Sequence, residues 1–237
     1  MINIIGPSTG WLYAIGTNTL EEQEKIIKEA NANAFEISFE PEVPRIRSLL
    51  NGSFNGFKYR SMHLPEIDPA KPLEAQLGAM KSVISKHKIE TGVIHPCDVS
   101  SRDYWRRMVT YTIPVAAENM DKNKPSGFKL EELRELNEIY GVNFVLDVQH
   151  AYEHDPTMNY AKELLNMMEP NLKHLHVSGE TEDNCHSLVY KARNADTITD
   201  FIGTVLSRKE VPIILEGQYS NAEELKTEID FLNGELK

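Results

Sequence analysis

The stretch VNFVLDVQHA, residues 142–151, decides how the rest of this chain is read. Its apolar run climbs to Leu146 and stops at Asp147, and His150 follows three residues later. A short run rich in β-branched and aromatic residues, bounded by polar ones, reads as a buried strand giving way to a loop. The acid and imidazole at that boundary are either loop residues meeting water or part of a site.

Seven further runs of the same kind appear on either side: INII (2–5), AFEIS (34–38), KYRSM (58–62), TGVIH (91–95), IPVAAE (113–118), LKHLHV (172–177) and VPIILE (211–216). Between them lie stretches with helical spacing. KLEELRELNEIYG (129–141) ends on Gly141, where a left-handed cap is expected, and TLEEQEKIIKEANA (19–32) is equally clear. PLEAQLGAMKSVISKHK (72–88) places Pro72 for the first helical turn, and SNAEELKTEIDFLNG (220–234) offers Ser220 or Asn221 as cap. The second unit is the weakest, because PEVPRIRSLLN (41–51) gives only a short helix. Repeated βα units with buried strands imply an α/β protein whose parallel sheet is covered by helices. Eight units in 237 residues match a (β/α)8 TIM barrel, read here as a single domain over 1–237. A doubly wound open sheet is the runner-up, but no G-x-G-x-x-G follows the first strand.

Composition narrows the function classes. The chain is 41% hydrophobic and 26% charged, with a formal net charge of −11 and two cysteines. These values suit a globular protein in a reducing compartment, with no disulfide framework. No apolar run approaches the roughly 20 residues that span a bilayer, and MINIIGPSTG has no signal-peptide pattern, so a cytoplasmic location and no membrane partner are expected. The negative charge, without a run of Lys and Arg, disfavours nucleic acid and favours a small-molecule substrate. An oligomer stays open.

In a TIM barrel the chemistry sits at the carboxyl ends of the strands. The third strand here ends at His63, the fourth at His95, the fifth at Glu118 and the sixth at Asp147, with His150 beyond. The seventh ends at His174 and His176, and the eighth at Glu216. One such residue alone is usually a helix cap or a hydrogen-bonded loop residue. Six strand ends in succession, brought together only by the barrel, point to a divalent cation, because unpaired buried charges cost roughly several kcal/mol. Mixed imidazole and carboxylate ligands favour Zn²⁺ or Mn²⁺, with Co²⁺ or Fe²⁺ also suitable, over Mg²⁺ or Ca²⁺. His63, His95, Glu118, Asp147, His150, His176 and Glu216 exceed what one ion takes, so two ions sharing a carboxylate use them better.

His174 and His176 face the same way by strand parity. His176, nearer the rim, is expected as the ligand and His174 as a core neighbour. His87 and His154 are read as surface residues. Trp11 could stack on a substrate ring or serve packing alone, and Glu180 and Arg193 could hydrogen-bond substrate or simply lie in a solvated loop. Cys97 and Cys185, both in rim loops, are read as buried thiols.

Taken as a set, SMHLPE, GVIHPCD, VAAENMD, VLDVQHA, LHVSGE and IILEG resemble the xylose isomerase-like TIM-barrel superfamily. That superfamily includes sugar isomerases and epimerases as well as the endonuclease IV family. The resemblance runs from the third strand to the eighth. It implies that Glu118, Asp147, His176 and Glu216 match the ligands of the single Mn²⁺ or Co²⁺ of ketose epimerases. There Glu118 and Glu216 would also be the acid/base pair, and His150 would contact substrate. In the endonuclease IV branch, positions matching His63, His95 and Glu118 hold a further zinc and His150 serves a third, giving one to three ions in all. The chain departs from that branch where a partner histidine is replaced: DNCHSL offers Asp183, Cys185 and His186 nearby. Its loops are short for DNA-contacting segments, and HSLVYKARN lacks a glycine-containing pattern.

Two mechanisms and one bland reading follow. The first is a metal-dependent isomerase or epimerase of a sugar or phosphorylated sugar, with Glu118 and Glu216 exchanging a proton on opposite faces of a carbon. The second is a zinc-dependent phosphoester hydrolase using two or three ions, which explains His63 and His95. The third is a metal-dependent binding protein.

Overall fold

The computed structural model describes residues 3–10, 19–38, 56–68, 70–99 and 101–236. Trp11 and the PEVPRIRSLLN segment lie outside the described residues.

Each expected strand is present. They are β1 (Ile5–Pro7), β2 (Ala34–Ser38), β3 (Tyr59–His63), β4 (Thr91–Ile94), β5 (Val115–Glu118), β6 (Asn143–Asp147), β7 (Leu172–Val177) and β8 (Ile213–Leu215). All pair in parallel, in the order β1-β8-β7-β6-β5-β4-β3-β2. The ring closes between β1 and β2, where Asn33 N–H donates to Ile5 O at 3.0 Å and Thr9 N–H to Glu36 O at 2.9 Å. Gly6 makes that approach feasible: a Cβ there would stand 1.6 Å from Ala34 O. The result is a nearly closed (β/α)8 barrel.

The first strand begins later than its apolar run (2–5) indicates. Its ladder with β8 runs from Ile5 to Pro7, so Gly6 and Pro7, which follow that apolar run, belong to the part that pairs.

The helices among the described residues are α1 (Leu20–Glu29), α2 (Leu73–His87), α3 (Arg102–Thr110), α4 (Leu130–Tyr140), α5 (Val148–His154), α6 (Asn159–Met168), α7 (Ala195–Arg208) and α8 (Ala222–Glu235). Their ends follow local chemistry. Thr19 and Glu22 form a reciprocal capping box on α1. Gly141 ends α4 at φ +68°, in the left-handed region its missing side chain permits. Asn221 caps α8 through its side chain. Pro72 stands at the cap of α2 rather than inside its first turn. On α2, Leu77, Met80, Val83, Ile84 and His87 share the buried face, so His87 is a core residue and not a surface one.

Strand alternation sorts the interior into layers. Deep in the barrel, Ala34, Tyr59 and Ile214 form one apolar cluster, while Val93, Ala116 and Val145 form another. One pleat further along the same strands come His95, Glu118 and Asp147. Register places Ser38 beside His63 and Asp147 beside His176. No helix among the described residues is long and apolar enough to cross a membrane.

Candidate metal centre

At the carboxyl end of the barrel the expected residues converge on one cavity of about 580 Å³. His63, His95, Glu118, His150 and Glu216 line it. Asp147 and His176 lie just beneath, fully buried.

Asp147 shows how the local fold aims a ligand. Asn119 pairs with its backbone, donating to Asp147 O at 2.9 Å and accepting from Asp147 N–H at 2.8 Å, and so extends the β5–β6 ladder. The chain then turns straight into α5, with Asp147 as its cap: Oδ1 accepts from His150 N–H at 2.6 Å. Oδ2 is left without a hydrogen bond and lies 3.6 Å from His150 Nδ1.

Glu118 sits at the centre. Its Oε2 lies 3.7 Å from His63 Nε2 and 3.4 Å from His95 Nε2, and those two nitrogens are 3.0 Å apart. Its Oε1 lies 3.2 Å from His176 Nδ1 and 3.5 Å from His150 Nδ1. His176 Nδ1 is also 3.4 Å from Glu216 Oε1. Two ligand sets therefore share one carboxylate, His63/His95/Glu118 and Glu118/Asp147/His176/Glu216, and within each set the ligand atoms lie within 4.8 Å of one another.

The donor chemistry fits divalent cations. Glu118 Oε2, Asp147 Oδ2 and His176 Nδ1 are buried and have no hydrogen-bond partner. Burial opposes charge on Glu118, but His176 and the other imidazoles outweigh it and hold the carboxyl well below its usual range. Burial pushes Asp147 and Glu216 up, and the charge of Glu118 adds to both shifts. Three carboxylates this close cannot all ionise without positive charge between them. The imidazoles supply it in the cation-free protein: His176 is held well above its usual value against the cost of burial, by Glu216, Glu36 and Glu118. His95 also overcomes burial, and its bond to Asp98 helps push it up to about 10.

Neighbours fix which nitrogen faces the centre. His95 Nδ1 is 3.1 Å from Asp98 Oδ2, leaving Nε2 toward His63 and Glu118. His150 Nδ1 is 2.9 Å from Asn119 O. Across the cavity His186 faces His150, with ring centroids 5.9 Å apart. Carboxylate or carbonyl partners of this kind orient imidazole ligands in metal sites generally.

Not every expected residue joins the cavity. Glu180 and Arg193 pair with each other at 2.6 Å, and neither lines it, because the β7–α7 loop brings the two charges together first. Cys185 is exposed rather than buried, and Cys97 is intermediate. His154 is half-buried, hydrogen-bonds Met120 O at 3.1 Å and lies between the rings of Phe128 and Tyr160. His174 is fully buried in the interior, as parity requires.

Two residues have weight that strand ends alone do not reveal. Lys124 is the only Lys or Arg among the described lining residues. Glu36 lies at the middle of β2, fully buried, 3.3 Å from His176 Nε2. An acid in the centre of AFEIS, on the same face as Ala34 and Ser38, is the signal that marks it.

No protein-family model matches this sequence, and no curated protein matches it significantly. Solved structures do match. A D-tagatose 3-epimerase-like protein superposes with a TM-score of 0.70 at 17% identity, covering 98% of this chain and 99% of that one. Endonuclease IV from Thermus thermophilus gives 0.65 at 15%, covering 97% and 96%. A xylose isomerase domain-containing protein from Salmonella typhimurium gives 0.65 at 13%, covering 100% and 98%. The chain has the fold of the xylose isomerase-like TIM-barrel proteins, as the strand-end motifs lead one to expect.

Proposed function

We propose that this protein is a divalent-metal-dependent enzyme with a binuclear centre bridged by Glu118, and that it hydrolyses a small phosphoester. The observation that carries this reading is the division of Glu118, one oxygen toward His63 and His95 and the other toward His176. His63, His95 and Glu118 would hold one cation; Glu118, Asp147, His176 and Glu216 would hold the other. Zn²⁺ fits the mixed nitrogen and oxygen donors, and Mn²⁺ is the alternative. Cations held by these residues would supply Lewis acidity toward a phosphoryl oxygen and toward water.

The chain's own groups supply the rest. Lys124 gives the cavity a fixed positive charge for an anionic substrate. Asn119 O accepts the Nδ1–H of His150, whose ring stands opposite that of His186 across the cavity. Glu216 is half-buried at the rim, 3.4 Å from His176 Nδ1, where a carboxylate can receive a proton close to the reacting atoms. A cavity of about 580 Å³ suits a small molecule. A phosphorylated sugar meets both requirements, and the endonuclease IV likeness is consistent with this chemistry.

One observation favours a second reading. Glu118 and Glu216 both approach His176 Nδ1, at 3.2 and 3.4 Å, so both would flank a single cation. That is the arrangement a sugar isomerase or epimerase needs for proton exchange, and the likeness to a D-tagatose 3-epimerase-like protein is consistent with it.

Elemental analysis of protein purified without added metal or chelator separates the readings, followed by turnover of p-nitrophenyl phosphate, bis(p-nitrophenyl) phosphate and a ketose panel. Two zinc ions per chain and phosphoester cleavage are expected. His63→Ala and His95→Ala should each remove one ion and lower cleavage by about 100-fold or more. One ion, unaffected by both substitutions, together with ketose turnover would replace the hydrolase with the isomerase. A metal-free protein that takes up no cation would defeat both.

A further inference from the structure

Beneath the rim, Glu36 and His174, which neither catalytic reading uses, join His176 in a second polar group. Glu36 Oε2 lies 3.3 Å from His176 Nε2 and 3.5 Å from His174 Nε2. All three side chains are fully buried. His174 continues the group downward: its Nδ1 is 2.8 Å from the Tyr59 hydroxyl, which donates to Thr91 Oγ1 at 2.7 Å. The rings of His174 and His176 lie 4.9 Å apart at 42°.

His176 thus has different partners on its two nitrogens. Nδ1 looks up toward Glu118 and Glu216, and Nε2 looks down toward Glu36. An imidazole that binds a cation through one nitrogen carries its proton on the other, and that N–H must be accepted or it costs energy in a buried site. Glu36 stands where the acceptor is required. It is built into β2, on the strand face between Ala34 and Ser38, so the barrel wall itself fixes the distance. The Glu36, His174, Tyr59 and Thr91 column ties together β2, β7, β3 and β4.

We propose that Glu36 is a positioning residue for the centre. It accepts the Nε2–H of His176, fixes that tautomer and presents Nδ1 to the cation shared with Glu118, Asp147 and Glu216. The proposal rests on the metal-centre reading but not on which reaction is catalysed. It excludes the other use of the triad, as a separate buried cation site, because His176 Nε2 then has no proton to donate.

Zn²⁺ affinity, measured by competition with a chromophoric chelator, tests it on wild type and Glu36→Gln. Gln keeps the shape and removes the charge. Affinity should fall by about 10- to 100-fold with the number of ions unchanged, the size typical for loss of an orienting partner. A purely structural Glu36 would instead lower the thermal midpoint of metal-free protein and leave affinity alone, which overturns the proposal. Loss of one whole ion also overturns it, in favour of a separate site. Should E36Q not fold, the wild-type chain still decides: in ¹⁵N-histidine, ¹¹³Cd-loaded protein, cadmium coupling to His176 Nδ1 and a proton on Nε2 are expected, and the reverse assignment refutes it. Wild type that takes up no cation brings down the centre and this inference together, which is a different result from a wild-type-like E36Q.

Discussion

The two sides of the barrel interior support the rim in different ways. Below His95, Glu118 and Asp147, on β4, β5 and β6, the next inward residues are Val93, Ala116 and Val145, a dry apolar floor. Below Ser38 and His176, on β2 and β7, they are Glu36 and His174, both fully buried and polar. Side chains alternate in the same way on both sides, so the difference lies in what each rim residue needs. Glu118 and Asp147 are acceptors, and a floor of methyl groups asks nothing of them while excluding water. An imidazole ligand has a second nitrogen pointing away from the rim, and on the β7 side that nitrogen requires a partner. His95, the imidazole on the apolar side, takes its partner from Asp98 at the rim, at 3.1 Å, and needs none from the floor.

The largest effect should come from the residue that joins the two sides. Glu118→Gln removes the charge both ligand sets share, so it should abolish binding of both ions and reduce turnover by about 1,000-fold or more. Elemental analysis and initial rates measure this. Retention of one ion at wild-type affinity would show that the sides are independent and that Glu118 is no bridge.

The apolar floor should respond in stability rather than chemistry. Val145 is fully buried and pairs in register with Glu118. Val145→Ala deletes two methyl groups from a packed layer and should cost about 2 kcal/mol, read from the denaturant midpoint of metal-free protein. The number of bound ions should not change. An unchanged midpoint with weakened metal binding would mean that this side, too, works by holding ligands in place.

How much of the site is legible in the sequence follows from the same contrast. Rim residues stand out because each interrupts an apolar run, so the strand pattern alone places His63, His95, Glu118, Asp147 and His176. Glu36 is hidden because it interrupts nothing: AFEIS continues through it as a strand, and only counting parity from Ala34 reveals an inward acid. His87 reads as a surface residue from its position at a helix end, although Leu77, Met80, Val83 and Ile84 put it on the buried stripe. Glu180 and Arg193 cannot be paired by any period, since a loop of irregular backbone brings them together. The late start of β1 is obscured because Gly6-Pro7 has turn composition, and the need for glycine there comes from Ala34 O, a contact made across the barrel closure.

The smallest expected effect lies outside the barrel interior, where Glu228 of α8 holds the β7–α7 loop. It is fully buried and accepts from Val189 N–H at 2.7 Å and Tyr190 N–H at 3.1 Å. Burial outweighs these bonds and pushes its carboxyl up to about 7, against 4.5 for the free side chain. Between those values the folded protein holds a proton that the unfolded chain releases. The stability this contributes is therefore complete below about 4.5 and is lost as pH rises through about 7. Glu228→Gln cannot titrate, so its thermal midpoint should follow a flatter course across that window. It also places an amide NH₂ against one of the two backbone donors, which lowers its midpoint at every pH. The informative quantity is the slope: relative to E228Q, wild type should lose about 2 kcal/mol between pH 5 and 7, about 4–8 °C in a chain of this size. Parallel profiles would mean that the loop donors keep Glu228 ionised throughout, so that here hydrogen bonds, and not burial, set the charge of a buried acid.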